Sequence, residues 1–190
     1  MNGATAQEEA LCQVSNLYHA LRDFSLLNDV YGNGKGLESG RWAIYSSGVS
    51  IFRDGDGDRL DEAVAISVLS APAVNHWDLP VAKEPVDFEA KDGTTKKVFK
   101  YLVTREEEAK EMEDRIDRVL NAAVYHQEEV LVLGAWGCGV FGQKADTIAK
   151  LFKQALDSKY KDRFRTVVFA IYDNSRDGEN VGPFFKEFYR

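Results

Sequence analysis

The sequence predicts an α/β fold, read as a single domain over residues 1–190. Three observations carry it. An apolar, β-rich run, VLVL at 130–133, stops at a loop with Gly134, Gly137, Gly139 and Gly142. A second β-rich run follows at 165–172, and stretches with apolar residues at helical spacing precede and separate the two. No internal repeat or linker divides this alternation. With 44% hydrophobic and 29% charged residues in 190, the chain can bury a full core.

A helix is expected over residues 6–27, with Ala10, Leu11, Val14, Leu17, Tyr18, Leu21 and Phe24 forming one apolar face. Residues 31–40 form a glycine-rich loop, and 42–52 reads as extended chain. The run DGDGD at 54–58 resembles the start of an EF-hand. Arg59 stands where a sharp-turn glycine should follow and no glutamate closes the loop, so it reads as a solvated hairpin turn. A second apolar strand spans 63–71 and stops at Pro72, and residues 75–95 show no clear period and read as an irregular connection. Residues 104–126 form an amphipathic helix, opened by a Thr104–Glu107 capping box and striped by Met112, Ile116, Val119, Leu120 and Ala123. Its charge run, REEEAKEMEDR, reads as a solvated face. The run 130–133 has the continuity of a strand buried on both faces. A helix over 144–156, a strand over 165–172 and a helical segment with Phe184, Phe185 and Phe188 complete the chain.

The bulk numbers exclude several classes. A net charge of −7, from 24 basic and 31 acidic residues, argues against duplex nucleic acid as a partner. Cys12 and Cys138 are too few for a disulfide scaffold and fit a reducing compartment. His19, His76 and His126 lack ligand spacing, so no metal site is expected. No apolar run approaches the roughly 20 residues of a membrane span, and no secretory pattern opens the chain, so the expected location is cytoplasmic, with no membrane partner.

Two segments carry chemistry. Glycines that follow a strand and precede a helix let backbone N–H groups approach a ligand, and the helix adds the positive end of its dipole. A phosphate or diphosphate is the ligand that suits this unit, although spacing alone leaves a plain tight turn open. Residues 137–142, GCGVFG, also satisfy GxGxxG, and a strand ending near Asp173 follows. A dinucleotide site is disfavoured because too little chain remains for the second half of a doubly wound sheet. The other segment is Gln7-Glu8-Glu9 at the start of the first helix. Thr5 and Glu8 can form a capping box, which accounts for Glu8 structurally. Neighbours on a helix diverge by about 100°, so Glu8 and Glu9 cannot flank one sugar from opposite faces. They can instead reach adjacent groups of one ligand, one orienting a ribose and the other delivering a proton.

Taken together, NGATAQEEALC (2–12) and GAWGCGVF (134–141) resemble the catalytic helix start and diphosphate loop of microbial-type poly(ADP-ribose) glycohydrolases. IYSSGVSIFRD (44–54) and SAPAVN (70–75) are similar to intervening segments of that family. The resemblance implies a three-layer α/β/α macrodomain-like mixed sheet that binds ADP-ribose, with poly(ADP-ribose) or ADP-ribosylated proteins as partners and ADP-ribose as product. It implies Glu9 as the general acid for the ribose–ribose O-glycosidic bond and Glu8 on the ribose hydroxyls, with Gln7 beside them. Gly137, Cys138, Gly139 and Val140 would supply backbone contacts to the diphosphate, and Phe141 would pack on the sugar. No cofactor or metal is implied. The family also carries a glycine triplet shortly before QEE, and here Met1 stands where it should have ended. The expectation is therefore an N-terminally shortened member, with a weak or silent ADP-ribose-binding macrodomain as the alternative to an enzyme.

Overall fold

The computed structural model describes residues 7–22, 37, 40–89, 91, 93–173, 175 and 177–189. The chain forms two compact units, one within residues 1–33 and 40–72 and the other within residues 34–39 and 73–190. Both helices and strands are present, in parallel and antiparallel pairs, giving the mixed α/β character expected.

In the first unit, helices α1 (Gln7–Val14) and α2 (Leu17–Arg22) pack beside a hairpin of β1 (Ile44–Arg53) and β2 (Arg59–Ser70). Leu17, Leu21, Ile44 and Val49 form its buried core, with Leu11, Cys12, Ile66 and Val68 against them. The single helix expected over 6–27 is broken, and its continuation beyond Arg22 lies outside the described residues. Ser15 and Asn16 cause the break. The Ser15 hydroxyl donates to the Leu11 carbonyl at 2.6 Å and accepts from the Leu17 N–H at 3.1 Å. Asn16 donates its N–H to the Ser50 carbonyl (3.2 Å) and accepts the Ser50 N–H on its side chain (2.8 Å). Small polar side chains that offer the backbone other partners are weak inside helices, and here they tie the turn to β1. Gly48, at φ +64, sits where the β1–β2 register shifts, as a bulge requires. Asp54 closes the hairpin by accepting the N–H groups of Asp56 and Asp58. Strand β2 begins earlier than the apolar pattern indicated because residues 61–65 are exposed and carry no core-facing signal.

The second unit contains a short 3₁₀ turn (His76–Asp78), β3 (Val86–Glu89), β4 (Thr95–Val98), α3 (Arg105–Tyr125), β5 (Val130–Leu133), α4 (Ala145–Asp157), β6 (Thr166–Phe169) and α5 (Val181–Phe188). Helix α3 opens on the expected reciprocal box of Thr104 and Glu107, which contributes about 0.5–2 kcal/mol. Met112, Ile116, Leu120 and Ala123 are buried on it. Parallel strands β5 and β6 pair from Val130↔Thr166 to Leu133↔Phe169. Phe169 meets Phe152 of α4 and Phe184 and Phe188 of α5, with ring centroids 4.5–5.4 Å apart.

Three expectations are corrected. Strand β5 is covered on one face only: Leu131 is buried, whereas Val130 and Val132 are exposed, the latter at 68%. A continuous apolar run does not by itself record how many faces are covered. Residues 75–95 are not an irregular connection, since they contain the 3₁₀ turn and β3, paired antiparallel with β4. The acidic run of α3 is not wholly solvated, because Glu108, Glu111 and Arg115 are buried.

Candidate active site

In the second unit, the loop between β5 and α4 takes its shape from two consecutive four-residue turns. The Cys138 N–H donates to the Ala135 carbonyl (3.0 Å) and the Gly142 N–H to the Gly139 carbonyl (3.1 Å), while the Gln143 N–H closes back on Gly137 (3.0 Å). Gly137 has φ +78, a conformation that costs an L-residue with a side chain roughly 1–2 kcal/mol. A Cβ there would also lie 2.7 Å from the Ala73 methyl and 2.8 Å from Gln143 Cγ. Gly142, at φ +70, presses against the Trp77 ring, which a Cβ would meet at 2.8 Å. The turns leave the N–H groups of Gly137, Gly139, Val140 and Phe141 with no acceptor among the described residues. The side chain of Val140 is 87% exposed. Helix α4 starts just beyond, with no side-chain cap at Lys144. Unpaired backbone N–H groups beside an uncapped helix start are an anion cradle.

Beneath this loop lies a buried polar network that sequence reasoning missed. Glu108 is 1% exposed and has three polar partners. Gln143 Nε2 reaches one carboxylate oxygen at 2.6 Å, while Arg105 Nη1 (2.9 Å) and His76 Nδ1 (3.1 Å) reach the other. The same Gln143 amide also donates to the Val74 carbonyl at 2.8 Å. From this base the loop is held at three further points. The His76 N–H donates to the Phe141 carbonyl (2.9 Å), Trp77 Nε1 to the Val140 carbonyl (3.0 Å) and Arg105 Nη1 to the Gly142 carbonyl (3.5 Å). The Tyr101 ring lies tilted by 44° against His76, with centroids 4.5 Å apart. The only trace in the sequence was an acidic residue at a helical position facing the Met112–Ile116 stripe.

Each predicted loop residue is therefore found together with the others, in differing states. The N–H groups of Gly137, Gly139, Val140 and Phe141 have no acceptor among the described residues, whereas the Cys138 N–H is committed to the turn. Burial pushes the Cys138 thiol up to about 12, so it stays neutral and is no nucleophile at ordinary pH. Gln7, Glu8 and Glu9 open α1 in the first unit, Glu8 and Glu9 half-buried and Gln7 exposed. Burial, then the charges of Glu8 and Glu9, raise the Cys12 thiol one turn further on. The Thr5 cap lies outside the described residues.

Asp173 has a different task from the one a dinucleotide site would give it. Its carboxylate accepts from the Ser175 hydroxyl and N–H and from the N–H groups of Asn180 and Val181. Those bonds, the Ser175 hydroxyl foremost, hold it well below the usual carboxylate range. Asp173 caps α5 and is not free to take a ribose.

Backbone N–H groups without an acceptor among the described residues, beside an uncapped helix start, suit an anion. Residues 1–54 match the family described as microbial-type PARG, catalytic domain. Crystal structures of poly(ADP-ribose) glycohydrolase from Deinococcus radiodurans and Thermomonospora curvata are similar to nearly the whole chain. For a D. radiodurans enzyme in complex with ADP-ribose, identity is 30% and the TM-score 0.78, covering 100% of this chain and 69% of that one. For the T. curvata enzyme bound to the inhibitor ADP-HPD, identity is 32% and the TM-score 0.81, covering 98% and 63%. No curated protein matches the chain. The chain belongs to the microbial-type poly(ADP-ribose) glycohydrolase family.

Proposed function

We propose that this chain hydrolyses the ribose–ribose O-glycosidic bonds of poly(ADP-ribose) and releases ADP-ribose. The observation that carries the proposal is the set of four N–H groups without an acceptor among the described residues, in a family whose D. radiodurans member is solved in complex with ADP-ribose. The loop takes the diphosphate on Gly137, Gly139, Val140 and Phe141, and the Phe141 ring packs on the sugar. Gln7 and Glu8 hold the ribose hydroxyls. Glu9 protonates the departing ribose oxygen as the glycosidic bond breaks, then takes a proton from the water that attacks the anomeric carbon. Negative phosphate charge beside that carbon stabilises its oxocarbenium character. The substrate partners are poly(ADP-ribose) and ADP-ribosylated proteins. Among the described residues no helix is long and apolar enough to cross a membrane.

The test follows release of labelled ADP-ribose from the polymer by the parent chain and its Glu9→Gln variant. Release by the parent, lowered about 10²–10⁴-fold in Glu9→Gln, is expected. Equal release by both would remove Glu9 from the chemistry. ADP-ribose binding without any release would replace the enzyme by a binding module.

A further inference from the structure

The N–H groups of the loop are not all aimed by the same means. In a trans peptide unit the C=O and N–H point opposite ways, so whatever holds a carbonyl also aims the N–H of the following residue. The Gly139 carbonyl accepts the Gly142 N–H at 3.1 Å, and this turn bond aims the Val140 N–H. The next unit, Val140 C=O with Phe141 N–H, is the middle one of that turn. The turn's own bond does not hold it, and turns of different type present it in opposite directions. Its carbonyl has one donor among the described residues, the Trp77 indole Nε1 at 3.0 Å. The Phe141 carbonyl accepts the His76 N–H at 2.9 Å. Adjoining residues of one 3₁₀ turn therefore hold both peptide units that flank Phe141.

Trp77 is placed for this contact more than for packing. It is 62% exposed, so its ring adds little to the core. Polar bonds fix it instead. The Asn75 side chain accepts the Trp77 N–H at 3.2 Å and donates to the Asp78 carboxylate at 2.8 Å. The His76 ring meets the indole edge-on, with centroids 5.0 Å apart. The edge that bears Nε1 lies against Gly142, where a Cβ would come within 2.9 Å of the nitrogen. The bare backbone at Gly142 is what lets the indole reach the Val140 carbonyl.

We propose that Trp77 is a positioning residue: by holding the Val140 carbonyl, its indole N–H turns the Phe141 N–H toward the phosphate. Without that bond the middle unit loses its one outside anchor, and a swing brings a carbonyl oxygen toward the anion in place of an N–H. This rests on the reading of the loop as the diphosphate site. It extends that site from the loop itself to a side chain 63 residues before Val140.

The experiment titrates ADP-ribose into three full chains by calorimetry and follows the assigned backbone amides of the loop by NMR. The chains are the parent, Trp77→Phe, which keeps a ring beside Gly142 and removes the donor, and Trp42→Phe, a control at a tryptophan that is 68% exposed. Trp77→Phe is expected to lose roughly tenfold in affinity, the weight of one hydrogen bond to a charged group. In the parent, ADP-ribose should move the Phe141 amide proton downfield. In Trp77→Phe that shift should shrink while the Val140 amide responds as before. Trp42→Phe is expected to match the parent in both. Unchanged affinity and an unchanged Phe141 response in Trp77→Phe overturn the proposal and leave the glycohydrolase reading intact. A loss in which the Val140 and Phe141 responses shrink together also overturns it, by making the indole a general prop for the loop. If the parent does not bind ADP-ribose, the functional reading fails and inorganic pyrophosphate becomes the probe. A Phe141 response to pyrophosphate that is lost in Trp77→Phe sustains the anchor, and no such difference overturns it.

Discussion

The two segments to which the proposed function gives the chemistry are held in opposite ways. The loop at 134–142 is over-determined: it closes on itself through two turns, and Glu108, Gln143, His76, Trp77 and Arg105 grip it from below. The Glu8–Glu9 pair opens an eight-residue helix that buries none of its residues completely and ends at the Ser15 break. Binding of a diphosphate by fixed backbone dipoles demands geometry set before the ligand arrives. Proton transfer asks only that a carboxylate come within reach of one oxygen in the complex. The contrast fits the division of labour in the proposed function, with affinity on the loop and turnover on Glu9.

That assignment can be broken in order of expected effect. The largest change is the turnover loss in Glu9→Gln described above, which should leave the ADP-ribose dissociation constant within about twofold, since uncharged Gln keeps the shape. Next is Gly137→Ala. A Cβ at φ +78 and 2.7 Å from the Ala73 methyl forces the turn to move, so ADP-ribose affinity should fall about 100-fold, read by calorimetry. Glu108→Gln comes third. Gln143 Nε2 and Arg105 Nη1 both donate to this carboxylate, so an amide nitrogen there sets donor against donor. Each unsatisfied buried donor costs about 1–3 kcal/mol, and a lower Tm with weakened ADP-ribose binding is expected. A Tm drop with unchanged affinity would confine Glu108 to folding.

The smallest effect concerns Cys138. Its folded value, raised to about 12, lies above the roughly 8.5 of a free thiol. The folded state therefore favours the thiol, and this contribution is full below about pH 8.5 and is lost as pH rises toward 12. Alkylation at pH 8.5, followed by mass spectrometry, should be slow at Cys138 in the native chain and fast once it is unfolded. Rapid native labelling would place the thiol in solvent and contradict the packed loop.

Much of this was legible in residue patterns. The Thr104–Glu107 box and the stripe from Met112 to Ala123 are local, so sequence spacing reports them directly. The loop was legible because strand, glycines and helix are consecutive, and because φ > 0 at Gly137 and Gly142 selects glycine. What failed was non-local. Glu108 reads as one acid among many on α3, and its burial depends on His76 and Gln143, 32 and 35 residues away. Strand β3 was missed for another reason: its VDFE alternation runs for only four residues, and its partner TKKV is exposed throughout. The break at Ser15 was hidden by an apolar stripe that continues through it in register, and only pairing with Ser50 and Ile51 reveals it. Asp173 stood at a strand end, where a ribose contact and a helix cap look alike until the N–H groups of Asn180 and Val181 are placed.

The most direct test of the division of labour is a calorimetric titration of ADP-ribose into three folded chains: parent, Glu9→Gln and Gly137→Ala. The account predicts binding by the first two with nearly equal affinity and its loss in the third. Binding that survives Gly137→Ala but disappears in Glu9→Gln would contradict it, and would move the grip on ADP-ribose from the loop to the helix.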